Sequence, residues 1–239
     1  MEPGRVFLTA EWRRLAMLSY EVDRELLLKF VPRGTELDAW NGRVFVSLVG
    51  FRFLKTRVLG LPIPFHTNFD EVNLRFYVRR QEGHEVRRGV VFIREIVPRR
   101  AIALVARNLY NENYVALPMT HEIADGQSAP AVSYGWRTSC GWSAMTLEAE
   151  GNPQVTNAGS EQEFITQHYW GYAAQRDGGT VEYRVTYPSW RVWTARRAEF
   201  VGEVEELYGC ELAEVLRGTP ASAFLAEGSP VAVMRGRRL

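Results

Sequence analysis

The stretch that most limits what this chain can become is Thr67 to Val78, TNFDEVNLRFYV. From Glu71 it alternates without a break: Glu71, Asn73, Arg75 and Tyr77 point to one side, and Val72, Leu74, Phe76 and Val78 to the other. A period of two puts successive side chains on opposite faces of a strand, so this is a strand with two different faces. A solvated face usually collects Lys, Thr, Ser and Gln. This one carries a carboxylate, an amide, a guanidinium and a phenol in a row. Such a set suits a polar cavity, in which each group finds a partner or a ligand. The alternative is the wet face of an open sheet.

Turn signals divide the rest of the chain. Ala10 to Val22 predicts a first strand, and Asp23 can cap a short helix from Arg24 to Phe30, stopped by Val31-Pro32. Asn41-Gly42 predicts a hairpin joining Leu37–Trp40 to Arg43–Phe53, because both central residues of the tightest hairpin turn need positive φ. The second arm, RVFVSLVGFRF, is apolar at nearly every position and reads as buried on both faces. Leu59 to His66 (LGLPIPFH) is a proline-set loop, either a rigid connector or a cover beside a pocket. Gln81 to His84 turns the central strand into a partner over Val86–Val97, and Pro98 opens a helix over Arg99–Tyr110.

Strands are expected over Tyr114–Ile123, Val132–Thr138, Trp142–Ala149, Val181–Tyr187, Trp190–Val201 and Pro230–Met234. Ser160-Glu161-Gln162-Glu163 is a capping box that predicts a helix to about Ala174, and Glu205–Arg217 reads as a last helix. Many short strands joined by hairpins, with few helices, predict a mainly β (α+β) fold: antiparallel sheet, curled or closed. One domain over residues 1–239 is expected, with a split near Gly151–Gly159 as the alternative.

Composition excludes several function classes. The net charge of +1 gives no reason to expect a nucleic-acid or acidic-membrane partner. Lys29 and Lys55 are the only lysines, so lysine chemistry must use one of them. Cys140 and Cys210 lack metal or redox spacing, and free thiols fit a reducing compartment; a single bridge is the alternative. The four histidines, His66, His84, His121 and His168, have no ligand spacing, so no metal and no cofactor are expected. His168 reads as a packed surface histidine on the capped helix. Ser139-Cys140-Gly141 has no His or Asp beside it to activate the thiol, and no GxGxxG, P-loop or GxSxG occurs. The tryptophans of the second half read mostly as core. Without an apolar run long enough to span a bilayer or a signal-like start, a cytoplasmic protein is expected.

Nearly the whole chain resembles the DUF2071 (YqjF-like) family. The blocks that carry the resemblance are Glu11-Trp12-Arg13, VDRELLLKFVPRGTELDAWNGRVFVSLVGF, DEVNLRFYV, GVVF, ARNLYNENYVALPM, and GSEQEFITQHYWGY followed by YPSWRVW. That family looks related to acetoacetate decarboxylase. The resemblance implies a closed antiparallel β-cone or barrel with a few short helices packed outside. The decarboxylase forms a Schiff base between a lysine and a β-keto acid, assisted by a first-strand arginine and a cone-strand glutamate. By resemblance these two fall on Arg13 and Glu71, Arg107-Asn108 stands where the decarboxylase has an arginine-glutamate pair, and its lysine falls on Tyr114. A phenol cannot form an iminium.

The candidate ligand-binding residues are therefore Arg13, Glu71, Asn73, Arg75, Arg107 and Tyr114, with Glu71 expected to pair with Arg13 or another arginine. Arginines in such a cavity can clamp a carboxylate. The expected partner is a small-molecule ligand, an organic acid or a carbonyl compound bound without Schiff-base chemistry, and the chain is a candidate homo-oligomer. The alternative is an enzyme using acid/base chemistry on a small organic acid or lactone-like substrate.

Overall fold

The computed structural model describes residues 5–101, 113–126 and 129–239. Three neighbouring strands form its frame: β1 (Val6–Glu21), β3 (Phe45–Val58) and β5 (Phe69–Glu82), with β3 antiparallel to both others. The alternating stretch lies in β5, where Val72, Leu74, Phe76 and Val78 join one buried apolar cluster and Phe69 and Tyr77 join another. Two short pieces lean on this frame: β2 (Glu36–Leu37) pairs β5, and β4 (Leu61–Pro62) pairs β3. The Asn41-Gly42 turn forms as expected, with Trp40 and Arg43 exchanging backbone hydrogen bonds of 3.0 and 2.9 Å. Its first arm then leaves β3 and pairs with β5 instead, so the expected hairpin is confined to its turn.

The long hairpin of β5 with β6 (Glu85–Val97) is present, with one irregularity between Leu74 and Arg75. The strand expected over Tyr114–Ile123 is split into β7 (Tyr114–Ala116) and β8 (Met119–Ala124) around Pro118, since proline donates no ladder hydrogen bond. Strands β9 (Ala131–Thr138), β10 (Gly141–Val155) and β13 (Arg191–Val201) follow, with β11 (Trp170–Ala174) and β12 (Thr180–Thr186) between the last two. The chain ends in β14 (Ser222–Met234) and β15 (Arg237–Arg238).

The pairings β1–β3–β5–β6–β11–β12–β14–β1 close into a ring, antiparallel except at β6–β11. From β14 a second leaf runs out through β13, β10, β9 and β8. One apolar cluster fills the ring; Met17, Phe45, Val49, Phe51 and Phe224 belong to it. The other joins the ring's outer face (Leu18, Leu48, Leu74, Ile93) to the second leaf (Tyr134, Trp136, Met145, Leu147). This is the mainly β architecture with few short helices that the hairpin spacing predicts.

The helices differ from expectation in extent. Asp23 caps α1 (Arg24–Leu28), accepting from the Glu25 amide. A helical turn opens at Arg100, but the rest of the helix expected over 99–110 lies outside the described residues. Ser160 caps α2 (Glu161–Thr166) at 3.2 Å from the Glu163 amide, yet this helix stops well short of Ala174. The aromatic run WGYAA continues as β11, where Gly171 is required: a Cβ there would lie 2.2 Å from the Tyr183 ring. α2 covers one end of the ring and contributes Phe164 and Ile165 to the inner cluster. The last helix is broken by Gly209, φ 80°, into α3 (Glu205–Tyr208) and α4 (Cys210–Arg217). Both cysteines are free and exposed. Among the described residues no helix is long and apolar enough to cross a membrane.

Candidate functional site

The ring encloses a cavity of about 220 Å³. Its walls are largely aromatic: Trp12, Phe51, Phe53, Phe69, Phe92 and Tyr187 line it. Trp12 packs edge-on to Phe51 and Phe53 at 5.5 and 5.8 Å, and Phe53 stacks on Phe69 at 4.6 Å. The polar groups gather where β5, β6 and β7 meet. Register places Asn73 opposite Glu95 and Glu95 opposite Tyr114, so Glu71, Asn73, Glu95 and Tyr114 line one patch of the cavity.

Glu71 is the centre of that patch. It is 2% exposed, accepts from Asn73 Nδ2 at 2.9 Å on Oε1, and accepts from the Tyr114 hydroxyl at 3.1 Å on Oε2. Burial pushes its pKa up to about 7, against the pull of those two hydrogen bonds and of the Arg75 charge. Near neutral pH this carboxyl can therefore both hold and release a proton. Burial also raises the Tyr114 phenol well above its ordinary value, reinforced by the negative charges of Glu71 and Glu95. The phenol is thus a donor, not a base.

Of the sequence-predicted set, Glu71, Asn73, Arg75 and Tyr114 line one cavity. Arg75 donates to the Ile165 carbonyl at 3.4 Å, while its Nε and the Asn73 Oδ1 are buried with no hydrogen-bond partner among the described residues. Tyr77, on the same face of β5, lies beneath α2 instead, its hydroxyl 2.6 Å from Ser47 Oγ and its ring against Phe164. Arg107 lies outside the described residues.

Arg13 corrects the expected pairing with Glu71. Its guanidinium turns away from the cavity and binds Glu11 at 2.9 and 3.1 Å and the Gly228 carbonyl at 3.2 Å. Trp12 holds the inward position next to it. Directly after it, Arg14 adopts φ 56° and the β1–β3 register slips between Arg13 and Ala16. Such a bulge reverses the alternation, so Leu8, Ala10 and Trp12 face inward before it and Leu15 and Met17 after it. Glu71 has no ion pair with an arginine among the described residues; Arg75 acts on it through space.

His168 corrects a second expectation. It lies beyond the end of α2, its side chain 1% exposed, and it lines the cavity. Its ring packs on Tyr77 at 4.7 Å and Phe164 at 5.0 Å. Burial lowers its pKa, so the ring is neutral near pH 7. Asp38 is buried too, but hydrogen bonds from His168 and Arg88 outweigh that and hold it at about 2. An ionised Asp38 3.3 Å from Nε2 selects the tautomer with its proton there, and the bare Nδ1 is buried without a partner among the described residues. Sequence reasoning also missed Glu95: register counted from the Gln81–His84 turn puts Arg94 opposite Asn73, and the irregularity between Leu74 and Arg75 shifts the pairing by one so that Glu95 takes that place.

Neither lysine lines the cavity. Lys29 is on the surface 2.8 Å from Glu211, and Lys55 is largely exposed 2.6 Å from Glu11. Among the described residues no group of three or more His, Cys, Asp or Glu has metal-binding geometry.

A ring of strands with few short helices is the fold of the acetoacetate decarboxylase-like proteins. The acetoacetate decarboxylase of Legionella pneumophila superimposes with a TM-score of 0.68 at 12% identity, covering 98% of this chain and 88% of that one. The enduracididine biosynthesis enzyme MppR, in its complex with pyruvate, superimposes at 0.67 with 12% identity, over 99% and 91% of the two chains. The chain itself belongs to the DUF2071 family of uncharacterized conserved proteins, which it matches over residues 9–230. It is 26% identical to the uncharacterized protein YqjF of Bacillus subtilis (strain 168) across 204 residues, 85% of this chain and 82% of that protein.

Proposed function

We propose that the cavity binds a small carbonyl compound with an apolar body, and does so without a Schiff base. The observation that carries this reading is a lysine-free aromatic cavity whose polar patch centres on a carboxyl titrating near 7, beside a phenol and an amide. A protonated Glu71 can donate to a carbonyl oxygen, and the Asn73 Oδ1 can accept from a neighbouring hydroxyl or amide. The cavity volume of about 220 Å³ lies below the range of about 300–1,000 Å³ for drug-sized ligands, so the ligand is small. Of the two ligand classes expected from sequence, the carbonyl compound fits this patch better. Two buried carboxyl groups there, Glu71 and Glu95, oppose a ligand carboxylate, with Arg75 alone offering attraction among the described residues.

Calorimetry with cyclohexanone and cyclohexanecarboxylate at pH 7 tests this. The ketone is expected to bind at least about tenfold more tightly, a difference of about 1.4 kcal/mol. Tighter binding of the carboxylate, or a borohydride-trapped adduct on Lys29 or Lys55, would overturn it. Acid/base catalysis on a lactone-like or keto substrate is the second reading, favoured by a carboxyl able to exchange its proton near neutrality. It predicts deuterium uptake at the carbon next to the bound carbonyl, followed by NMR and lost in Glu71→Gln.

A further inference from the structure

Among the described residues two tight turns have both central residues at positive φ, and they are built differently. Asn41-Gly42 (φ 50° and 81°) uses the pair such a turn favours. Leu59-Gly60 (φ 51° and 84°), which joins β3 to β4, puts a leucine where asparagine belongs. The left-handed conformation is costly for a bulky residue, and Leu59 recovers nothing by burial, being 57% exposed. Six residues on, Phe65 repeats the pattern at φ 64° and 87% exposure. Leu61 and Ile63, between them, are 68% and 43% exposed. Four large apolar side chains thus stand out from one short loop, two on strained backbone. Of the four only Ile63 also lines the cavity.

Their surroundings are cationic. The Arg57 guanidinium donates to the Gly60 carbonyl at 3.3 Å, the Leu59 amide to Phe7, and the Arg235 amide to Arg5, which ties Arg5, Arg57 and Arg235 to the base of the loop. All three are exposed, and none has an ion pair among the described residues. Residues 5–9, 55–66 and 231–239 contain no acidic side chain. The net charge of +1 conceals this local run of cations. The loop also stands at the cavity: Ile63, His66, Val58 and Phe7 line it.

We propose that the loop from Leu59 to Phe65 docks on the surface of an anionic lipid bilayer. Leu59, Leu61 and Phe65 enter the acyl boundary while Arg5, Arg57 and Arg235 meet the headgroups. Exposed apolar side chains with a basic rim are the combination that holds a protein in the interface without spanning it. The cavity wall shared with the loop would then sit beside the lipid phase, where an apolar ligand concentrates.

Sedimentation of the full chain with sucrose-loaded vesicles tests this, using phosphatidylcholine alone and an equimolar mixture with phosphatidylglycerol. Binding to the mixed vesicles, weakened by added salt, is expected. The combined variant Leu59→Asn, Leu61→Ser, Phe65→Ser should reduce that partitioning by about tenfold or more, while its circular dichroism and melting curve show an intact fold. A separate Arg57→Ala, Arg235→Ala variant should lose the preference for anionic lipid. No sedimentation with either vesicle would overturn the proposal, as would equal binding by the loop variant. So would concentration-dependent dimerisation abolished by the loop variant in the absence of lipid binding, which would assign the face to a second copy.

Discussion

β1 and β5 flank β3 on opposite sides, and both face the cavity, yet only one keeps its alternation. β5 presents Glu71, Asn73 and Arg75 to the cavity and its even-numbered residues to the outer cluster, as its sequence pattern demands. β1 loses its alternation at Arg14, and β3 does the same at Lys55, φ 53°, where Phe51 and Phe53 line the cavity before the bulge and Thr56 and Val58 after it. Bulges bend a strand and increase its twist, which a sheet needs in order to close into a ring. The regular strand therefore carries chemistry and the irregular ones carry curvature. In–out alternation can be counted along the first and not along the second.

Neighbouring residues in β1 give the sharpest contrast. Trp12→Ala removes a cavity wall that touches Phe51, Phe53, Tyr187 and Trp190 and should cost about 3–5 kcal/mol in urea unfolding. Arg13→Ala breaks a partly exposed ion pair with Glu11 and should stay within about 0.5 kcal/mol, with no effect on ligand affinity. Comparable costs for the two would mean that the bulge does not set which side chain faces inward.

On β5, Glu71 makes stability depend on pH. Its folded pKa, about 7, is raised above the ordinary 4.5, so the folded state binds the proton more tightly than the unfolded chain. Its contribution is complete below pH 4.5 and is lost as pH rises through 7. Between pH 5 and 8 that loss should be of the order of 2–3 kcal/mol, and Glu71→Gln should flatten the profile. A variant with the wild-type slope would place the titration elsewhere. Tyr114→Phe removes only a hydroxyl and should cost about 0.5–1.5 kcal/mol of ketone affinity, with the fold kept.

What could be read from sequence follows the same division. Period two in β5, the Asn41-Gly42 turn and the Asp23 and Ser160 caps are local rules, and the structure shows each, with Glu163 of the capping box reaching back to the Gly159 amide rather than to that of Ser160. Glu71, Asn73, Arg75 and Tyr114 could be named because regular strand or family resemblance places them. Arg13 could not be placed, since Arg14 and Lys55 give no glycine signal for their left-handed backbone. His168 was hidden because i, i+3, i+4 spacing of aromatics continues past Thr166, where pairing to β6 and β12 decides in favour of a strand. Asp38, which fixes the imidazole, lies 130 residues away in sequence, and no local pattern links the two.

A last, small pair of effects bears directly on the bulges. Lys55 is an exposed residue at φ 53° whose ion pair with Glu11 lies largely in solvent. Left-handed backbone costs an ordinary L-residue about 1–2 kcal/mol, and glycine avoids that cost but loses more chain entropy on folding. Lys55→Gly should therefore stabilise by about 0.5 kcal/mol once the weak ion pair is discounted. Arg79 is an exposed position on the regular backbone of β5, paired to Glu36 at 2.8 Å. There the same substitution brings only the entropy cost and should destabilise by about 1 kcal/mol. Opposite signs at the two sites, from matched denaturation curves, would show that the bulged strand holds a strained residue for the sake of curvature. The same sign at both would mean that Lys55 sits in its left-handed conformation without strain.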